Sequence, residues 1–282
     1  LFFVQSYGQA NITNYVFSSN NDTYSSIIGG TQIVQGTSSP LVDNVTYTNI
    51  PIGFDFWYMG RRYTSVTVST NGWLSLGVAT IDSAPNNNLN SGGGRPVVAP
   101  LWDDLAVFPG IIGLLIPGNI TRSLSDDVGP KTFTVQWTSI KWSTSAANLL
   151  GGAISFQAKL TEDGNIQFAY LAGLGSIVSP SASIGITGTE AGVFRSLTNS
   201  SSAPALVLNP TGEASSLSTV PSNLNYVFNP TELAAPSSLS FSRVGSTGMR
   251  LNWTDNSTGE AGFVIYRSVD GGATYSYLAT TP

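Results

Sequence analysis

Hydrophobic and polar residues alternate with a period of two along most of the chain. The clearest runs are residues 64–70, 132–137, 154–160 and 166–170, in which apolar side chains stand two positions apart. Successive side chains of an extended strand point to opposite faces, so this period is typical of half-buried β-strands. No convincing run of about ten residues has the 3.6-residue period of a helix. The pattern therefore predicts an all-β protein.

Turn-forming residues separate these runs and predict two hairpins. Asn71-Gly72 follows residues 64–70, and Glu162-Asp163-Gly164-Asn165 follows residues 154–160. An Asn-Gly pair favours a type I′ turn, in which both residues have positive φ. Many short strands with turns between them predict a β-sandwich of jelly-roll type. Large apolar side chains at alternate positions are expected to fill its core: Phe54, Phe56, Trp73, Leu74, Leu76, Trp102, Trp137, Phe156 and Phe168.

The sequence divides near residues 229–236, where two prolines bracket small residues. We expect a β-sandwich domain at residues 11–230, a linker at 231–236 and a second domain at 237–282. Residues 1–10 have two interpretations. Their apolar run, followed by small residues at positions 8 and 10, is typical of the end of a secretory signal peptide, and the same residues also fit an N-terminal strand.

The composition narrows the chemistry that the chain can perform. Only 10% of its residues are charged, and it contains no cysteine and no histidine. Those absences exclude disulfides, cysteine or histidine zinc sites and Ser-His-Asp catalysis. A net charge of −5 gives no basic footprint, so no nucleic-acid partner is expected. No stretch reaches the ~20 consecutive apolar residues that a membrane-spanning helix needs, so no membrane span is expected. The polar surface must consist of Ser, Thr, Asn and Gly, as in a secreted or surface-attached β-protein.

One acidic pair is a candidate metal site. Asp103 and Asp104, together with Asp82 from the preceding loop, are candidate ligands of Ca²⁺, because this ion prefers oxygen donors such as carboxylates. The alternative is that one carboxylate caps a turn or pairs with Arg61 or Arg62, while the other is solvated. No other cofactor is expected.

Three aromatic residues are candidates for ligand stacking. Trp57, Tyr58 and Trp142 would suit a sugar ring if they were exposed, because each joins an apolar face to a polar rim. The alternative is that they are partly buried sheet residues.

Carboxylate catalysis is the remaining enzymatic alternative. A glycosidase needs two acids that face each other across a cleft. Asp55, Asp103, Asp104, Glu162 and Asp163 are available, but Asp163 lies where a hairpin turn is expected. We therefore expect no enzymatic activity.

A succession of motifs resembles a family of secreted proteins. Residues 50–56, 66–77, 98–105, 133–137 and 154–170 carry a Phe-rich strand, an Asn-Gly hairpin, an Ala-Pro-x-Trp-x-Asp segment, a Trp strand and an Asp-Gly hairpin. This order is similar to the N-terminal β-domain of large Bacteroidota surface proteins, the cargo class of the type IX secretion system. It also resembles the nidogen-type extracellular domain of animal adhesion proteins.

The resemblance covers roughly residues 11–190 and implies an exported protein with a signal peptide and fibronectin-like repeats. In this setting Asp82-Ser83-Ala84 resembles a short O-glycosylation motif of Bacteroidota. Ser83 is therefore a candidate glycosylation site.

Residues 236–282 resemble the first half of a fibronectin type III domain. The resemblance rests on Leu251-x-Trp253 and on the run at residues 262–272, and it implies that Trp253 is the core tryptophan. Such a domain needs about 100 residues, so we expect an incomplete fibronectin type III sandwich here.

These observations lead to one expected function and two alternatives. We expect a non-enzymatic module at the cell surface, with an adhesive or structural role and with other surface proteins or copies of itself as partners. A weakly charged surface repels its copies little, which favours a filament or a surface layer. The first alternative is a carbohydrate-binding module of a secreted hydrolase, with polysaccharide as partner. The second is a carboxylate enzyme.

Overall fold

The computed structural model describes most of the chain as strands. It covers residues 1–9, 11–36, 41–78, 87–90, 94–109, 117–126, 129–143, 152–173, 181–198, 205–207, 215–216 and 220–281. These residues contain one 3₁₀ turn, Ile12–Asn14, and no α-helix. The all-β prediction is confirmed.

The strands are β1 (Phe2–Gln9), β2 (Tyr15–Asn21), β3 (Thr31–Gln35), β4 (Val42–Asp43), β5 (Thr46–Tyr58), β6 (Arg61–Ser69), β7 (Leu74–Leu76), β8 (Val97–Trp102), β9 (Leu105–Val107), β10 (Asn119–Ser125), β11 (Thr132–Trp142), β12 (Ile154–Thr161), β13 (Ile166–Ala172), β14 (Ser181–Thr187), β15 (Phe194–Thr198), β16 (Ala205–Val207), β17 (Ser215–Ser216), β18 (Leu224–Pro230), β19 (Ser237–Val244), β20 (Gly248–Thr254), β21 (Glu260–Arg267) and β22 (Ser276–Thr281).

The chain divides into two compact units, each made of separate segments. The sandwich unit consists of Val16–Phe56 and Tyr63–Asn229, and the small unit consists of Leu1–Tyr15, Trp57–Arg62 and Pro230–Pro282. The expected domains at 11–230 and 237–282 are contiguous in sequence, whereas these units are not. The domain boundaries therefore stay a prediction.

The sandwich unit contains two sheets. The first has the order β2-β18-β13-β12-β11-β10-β3, with β9 on β11 and β4 on β9. The second has the order β16-β15-β14-β8-β7-β6-β5, with β17 on β14. Two buried hydrogen bonds join the sheets. The Trp137 indole donates to the carbonyl of Ser69 at 2.9 Å, and the Tyr170 hydroxyl donates to the carbonyl of Pro100 at 2.6 Å.

The predicted core is confirmed. All nine of the apolar residues expected between the sheets are buried. Trp137 stacks on Phe156 with ring centroids 5.0 Å apart. Burying a side chain of this size stabilises the fold by roughly 1.5–3 kcal/mol, so these faces hold the sheets together.

The Asn71-Gly72 hairpin is confirmed, but the expected type of turn is wrong. β6 and β7 pair directly, and the amide of Ser69 donates to the carbonyl of Trp73 at 2.9 Å. Gly72 has φ 75°, whereas Asn71 is not among the residues with positive φ. Three residues therefore form the loop, with only its last position left-handed, which is the second common class of hairpin.

The hairpin at residues 162–165 is also confirmed. β12 and β13 pair on either side of it, and Gly164 has φ 89°. The carboxylate of Asp163 accepts from the side-chain amide of Asn165 at 2.8 Å. Asp163 thus acts as a turn residue.

The small unit contains two short sheets. One has the order β1-β21-β22, and the other pairs β19 with β20. The Trp253 and Phe263 rings are 5.3 Å apart, edge to face. Residues 2–9 form a strand, which was the second interpretation of residues 1–10, while their cleavage on export stays a prediction. Within the described residues, no helix is long and apolar enough to cross a membrane.

Candidate functional site

Three carboxylates lie at one corner of the sandwich unit, which we call the acidic corner: Asp43, Asp103 and Asp104. The last two form the turn between β8 and β9. Asp43 ends β4 and pairs with Ala106 of β9. The sequence pointed to Asp103 and Asp104, but it missed Asp43, because only the pairing of β4 with β9 brings it here.

Asp103 is buried, and both of its carboxylate oxygens accept hydrogen bonds. One carboxylate oxygen accepts from the amide of Asp104 at 2.8 Å. The other accepts from the Trp142 indole at 2.9 Å and from the Ser181 hydroxyl at 2.5 Å. Burial raises the pKa of Asp103, and these hydrogen bonds oppose that shift by favouring the ionised form. The geometry gives Asp103 a structural role, in which it ties β11 and β14 to the β8–β9 turn.

Asp43 and Asp104 repel each other. Each has a buried carboxylate oxygen for which the described residues offer no hydrogen-bond partner. Burial raises the pKa of Asp43, and the charge of Asp104 raises it further. Lys141 lies opposite Ala106 on the other side of β9, so it shares a face with Asp43. Burial lowers the pKa of this lysine.

Of the three predicted Ca²⁺ ligands, the structure describes Asp103 and Asp104. Asp82 lies outside the described residues, as does the candidate glycosylation site Ser83. Among the residues that are described, no group of three or more acidic side chains is arranged to hold a metal ion. Both oxygens of Asp103 already serve protein donors. A site that includes Asp82 stays a prediction.

Asn71 links the hairpin turn to the acidic corner. Its side-chain amide donates to the Asn44 side chain at 2.8 Å, and its side-chain oxygen accepts from the amide of Leu105 at 3.2 Å. Its carbonyl accepts from the amide of Asp103 at 3.2 Å. The sequence assigned Asn71 to the turn alone, because nothing in a local pattern shows these distant partners.

A second candidate site lies on the small unit. Phe3, Tyr266 and Tyr277 stand opposite one another on β1, β21 and β22, and we call them the aromatic row. The Phe3 and Tyr266 rings are 6.1 Å apart. Phe3 is 48% exposed and Tyr277 is 39% exposed. Tyr275, also exposed, packs against Phe3 at 6.2 Å.

Two residues on either side of the β5–β6 turn, Trp57 of β5 and Arg62 of β6, flank the aromatic row. Trp57 is half-buried, with its ring 6.2 Å from that of Tyr277. The Arg62 guanidinium lies 4.7 Å from the centre of the Tyr277 ring, in a cation–π contact. Exposed tyrosine and arginine side chains, with a half-buried tryptophan beside them, provide apolar area together with hydrogen-bonding groups. Such a surface suits a sugar ring or the side chains of a protein partner.

The other two predicted stacking residues lie in the interior. Tyr58 is buried, and its ring packs 5.1 Å from that of Tyr15. Trp142 is 2% exposed and donates its indole N–H to Asp103 and to the carbonyl of Ser181. Their burial corrects the expected exposed platform: neither ring presents a face to a ligand at the surface. Of the three candidates, only Trp57 joins an exposed aromatic surface.

A comparison with known families agrees with the fold of the sandwich unit. A family model described as NIDO related matches residues 14–230. The chain belongs to the NIDO-related family. No curated protein and no solved structure matches it significantly.

The two candidate sites differ in their relation to the NIDO-related region. The acidic corner and Asn71 lie inside residues 14–230. The three residues of the aromatic row lie outside that region, and only its flanking residues Trp57 and Arg62 lie within it. The row is therefore a property of this chain beyond what the NIDO-related match describes.

Proposed function

We propose that the chain is an extracellular structural or adhesive module of a large bacterial cell-surface protein, and that it associates with copies of itself. The observation that carries the proposal is the aromatic row. Phe3 and Tyr277 are exposed although the sandwich unit buries its own large aromatic residues in a core. Contiguous exposed apolar side chains with polar groups around them are typical of interaction sites.

The low charge of the surface supports the same proposal. Of 282 residues, 27 are charged. The ion pair between Lys131 and Glu162 has a distance of 3.9 Å and is exposed, so it contributes little to stability. Copies of such a molecule repel one another weakly, and Ser, Thr and Asn side chains can hydrogen-bond across a contact.

The resemblance to exported proteins and the order of the domains support the extracellular location in this proposal. The motif order resembles that of Bacteroidota type IX cargo proteins, and membership of the NIDO-related family agrees with the nidogen-like part of that resemblance. We assign residues 237–282 to the first strands of a fibronectin type III domain. The contact between Trp253 and Phe263 supports this assignment, because the tryptophan of β20 then packs against β21.

Self-association is tested by measuring mass and shape in solution. We expect light scattering coupled to size-exclusion chromatography to show a mass that grows with protein concentration, and negative-stain images to show oligomers. Phe3→Ser/Tyr277→Ser should shift the mass toward the monomer. The matched control Leu171→Ser removes an exposed leucine from the sandwich unit and should leave the mass unchanged. A monomer at every concentration contradicts the proposal.

The aromatic row also favours a second candidate function, the binding of polysaccharide. Trp57 and Tyr277 lie side by side at the surface, and Arg62 adds hydrogen-bond donors beside them. Affinity electrophoresis in gels that contain polysaccharides measures this directly. Retardation that is lost in Tyr277→Ala but kept in Leu171→Ala would favour this candidate. Unchanged mobility in all gels would count against it.

A further inference from the structure

The sheet of the small unit points to a specific partner strand. We propose that the edge of β21 occupied by β1 accepts residues 2–9 of a second copy of the chain. This inference rests on the proposed self-association and adds to the aromatic row a second kind of contact between copies. It is an exchange of the same strand between copies, so no new surface is required.

The first argument is the way in which β1 is held. Seven register pairs join β1 to β21, from Phe2 opposite Arg267 to Gln9 opposite Glu260. Among residues 1–6 only Val4 and Ser6 are buried. The contact therefore combines the strand ladder with the two buried side chains of Val4 and Ser6 and the ring contact of Phe3 with Tyr266. This is the arrangement by which proteins capture an added strand at a sheet edge.

The second argument is the connection that follows β1. Only positions 10 and 11 separate it from the 3₁₀ turn Ile12–Asn14. That turn is fixed, because Ile12 is buried and the carbonyl of Asn14 accepts from the amide of Thr231 at 2.8 Å. A short connection to a fixed point restricts how a strand can close on its own unit, and such connections favour exchange between copies.

The third argument is that strand exchange preserves the contacts between β1 and β21. A donated β1 makes the same seven pairs with β21 of the acceptor, because donor and acceptor have the same sequence. Phe3 of the donor then packs against Tyr266 of the acceptor, as Phe3 does now at 6.1 Å. Each copy has one donor strand and one acceptor edge, so repeated exchange links many copies.

Engineered cysteines test the exchange, because the chain has none of its own. Gln5 lies opposite Val264 in the register. One copy carries Gln5→Cys and a size tag, and the second carries Val264→Cys. Mixing at high concentration followed by mild oxidation should give a mixed, disulfide-linked dimer, because opposite residues in antiparallel strands are close enough for the bond. The matched mixture of Gln5→Cys with Arg250→Cys, an exposed position on β20, should give none above background.

A proline substitution adds a directional control. Proline lacks the N–H that pairing requires, so Val4→Pro in the Gln5→Cys copy should abolish the mixed dimer. The same substitution in the Val264→Cys copy should leave the mixed dimer unchanged or increase it, because that copy serves only as acceptor. Circular dichroism of each variant shows that it is folded.

Two results separate this inference from the proposed function. If the unmodified chain associates by light scattering but the mixture gives no mixed dimer, strand exchange is wrong and self-association stands. If the unmodified chain stays monomeric and a chain with both Gln5→Cys and Val264→Cys forms only an internal disulfide at every concentration, both are wrong.

Discussion

At the residue scale, Asp103 connects three segments of the sandwich unit. Its carboxylate accepts from Asp104, Trp142 and Ser181. Asp103→Ala leaves buried donors without this acceptor, so we expect the free energy of unfolding to fall by about 2–3 kcal/mol. The exposed Asp126→Ala is the control and should change it by less than about 0.5 kcal/mol. Urea denaturation measures both, and equal effects would contradict the structural role of Asp103.

Asp43 gives a prediction with a defined pH dependence. Burial and Asp104 raise its pKa in the folded protein, so the folded state binds the proton more tightly than the unfolded chain. The stability that this provides is present below the ordinary aspartate pKa of about 3.9 and is lost as the pH rises through the raised pKa. Asparagine carries no ionisable carboxyl group, so Asp43→Asn does not lose this stability as the pH rises. Its melting temperature should exceed that of the unmodified chain at pH 7 and equal it at pH 3, and Asp126→Asn should show no difference at either pH.

The same variant examines a different Ca²⁺ site from the predicted one, which consists of Asp82, Asp103 and Asp104. If Ca²⁺ bridged Asp43 and Asp104, removing one carboxylate would weaken binding, and Asp43→Asn would melt at a lower temperature than the unmodified chain in Ca²⁺ but not in EDTA. We expect Asp43→Asn to be the more stable protein in both solutions at pH 7.

The sequence pointed to some of these residues without showing what they do. Asp103 stands out as half of an acidic pair, yet its partners Trp142 and Ser181 lie 39 and 78 residues away. A metal ligand and a buried hydrogen-bond acceptor look alike in sequence. Trp142 is a candidate for ligand stacking in the sequence for the same reason, because a tryptophan at a strand end gives no local sign of its indole partner.

At the element scale, the β6–β7 hairpin depends on Gly72. Its φ of 75° is unfavourable for other residues, and an added Cβ would collide with the carbonyl oxygen of Leu101. Gly129 has φ 82° with nothing within 4 Å of an added Cβ, so it isolates the backbone cost. We expect Gly129→Ala to cost about 1–2 kcal/mol of unfolding free energy. Gly72→Ala should cost about 2 kcal/mol more, because the collision adds to the backbone cost. Equal costs in thermal denaturation would contradict the close approach of β8 to the turn.

The alternation of apolar and polar residues predicted the strands well. It does not show which face of a strand is exposed or which distant strands pair. Phe54 and Phe56 are two apart on β5 and both are buried, as a period of two requires. Trp57 and Tyr58 are adjacent, so they lie on opposite faces, and only one of them could be exposed. The aromatic row combines β1, β21 and β22, and no local pattern reveals which distant strands pair.

At the scale of the whole molecule, the two units differ in charge. The small unit has five arginines and four acidic residues, whereas the sandwich unit has six basic and twelve acidic residues. The net charge of −5 means that whole copies repel one another slightly at neutral pH. Opposite charge on the two units could instead draw the small unit of one copy toward the sandwich unit of the next.

The dependence of association on salt concentration distinguishes net repulsion between copies from attraction between oppositely charged units. Contacts through the aromatic row and an exchanged strand are apolar and main-chain in nature, so salt affects association chiefly by screening the net repulsion. We therefore expect light scattering at pH 7 to rise between low salt and 0.5 M NaCl. It should also rise at low salt as the pH falls toward the isoelectric point of about 4.5, where the repulsion disappears. Phe3→Ser/Tyr277→Ser should remove most of both increases, because charge alone does not provide the contact. Scattering that falls on adding salt would instead show that opposite charges on the two units hold the copies together.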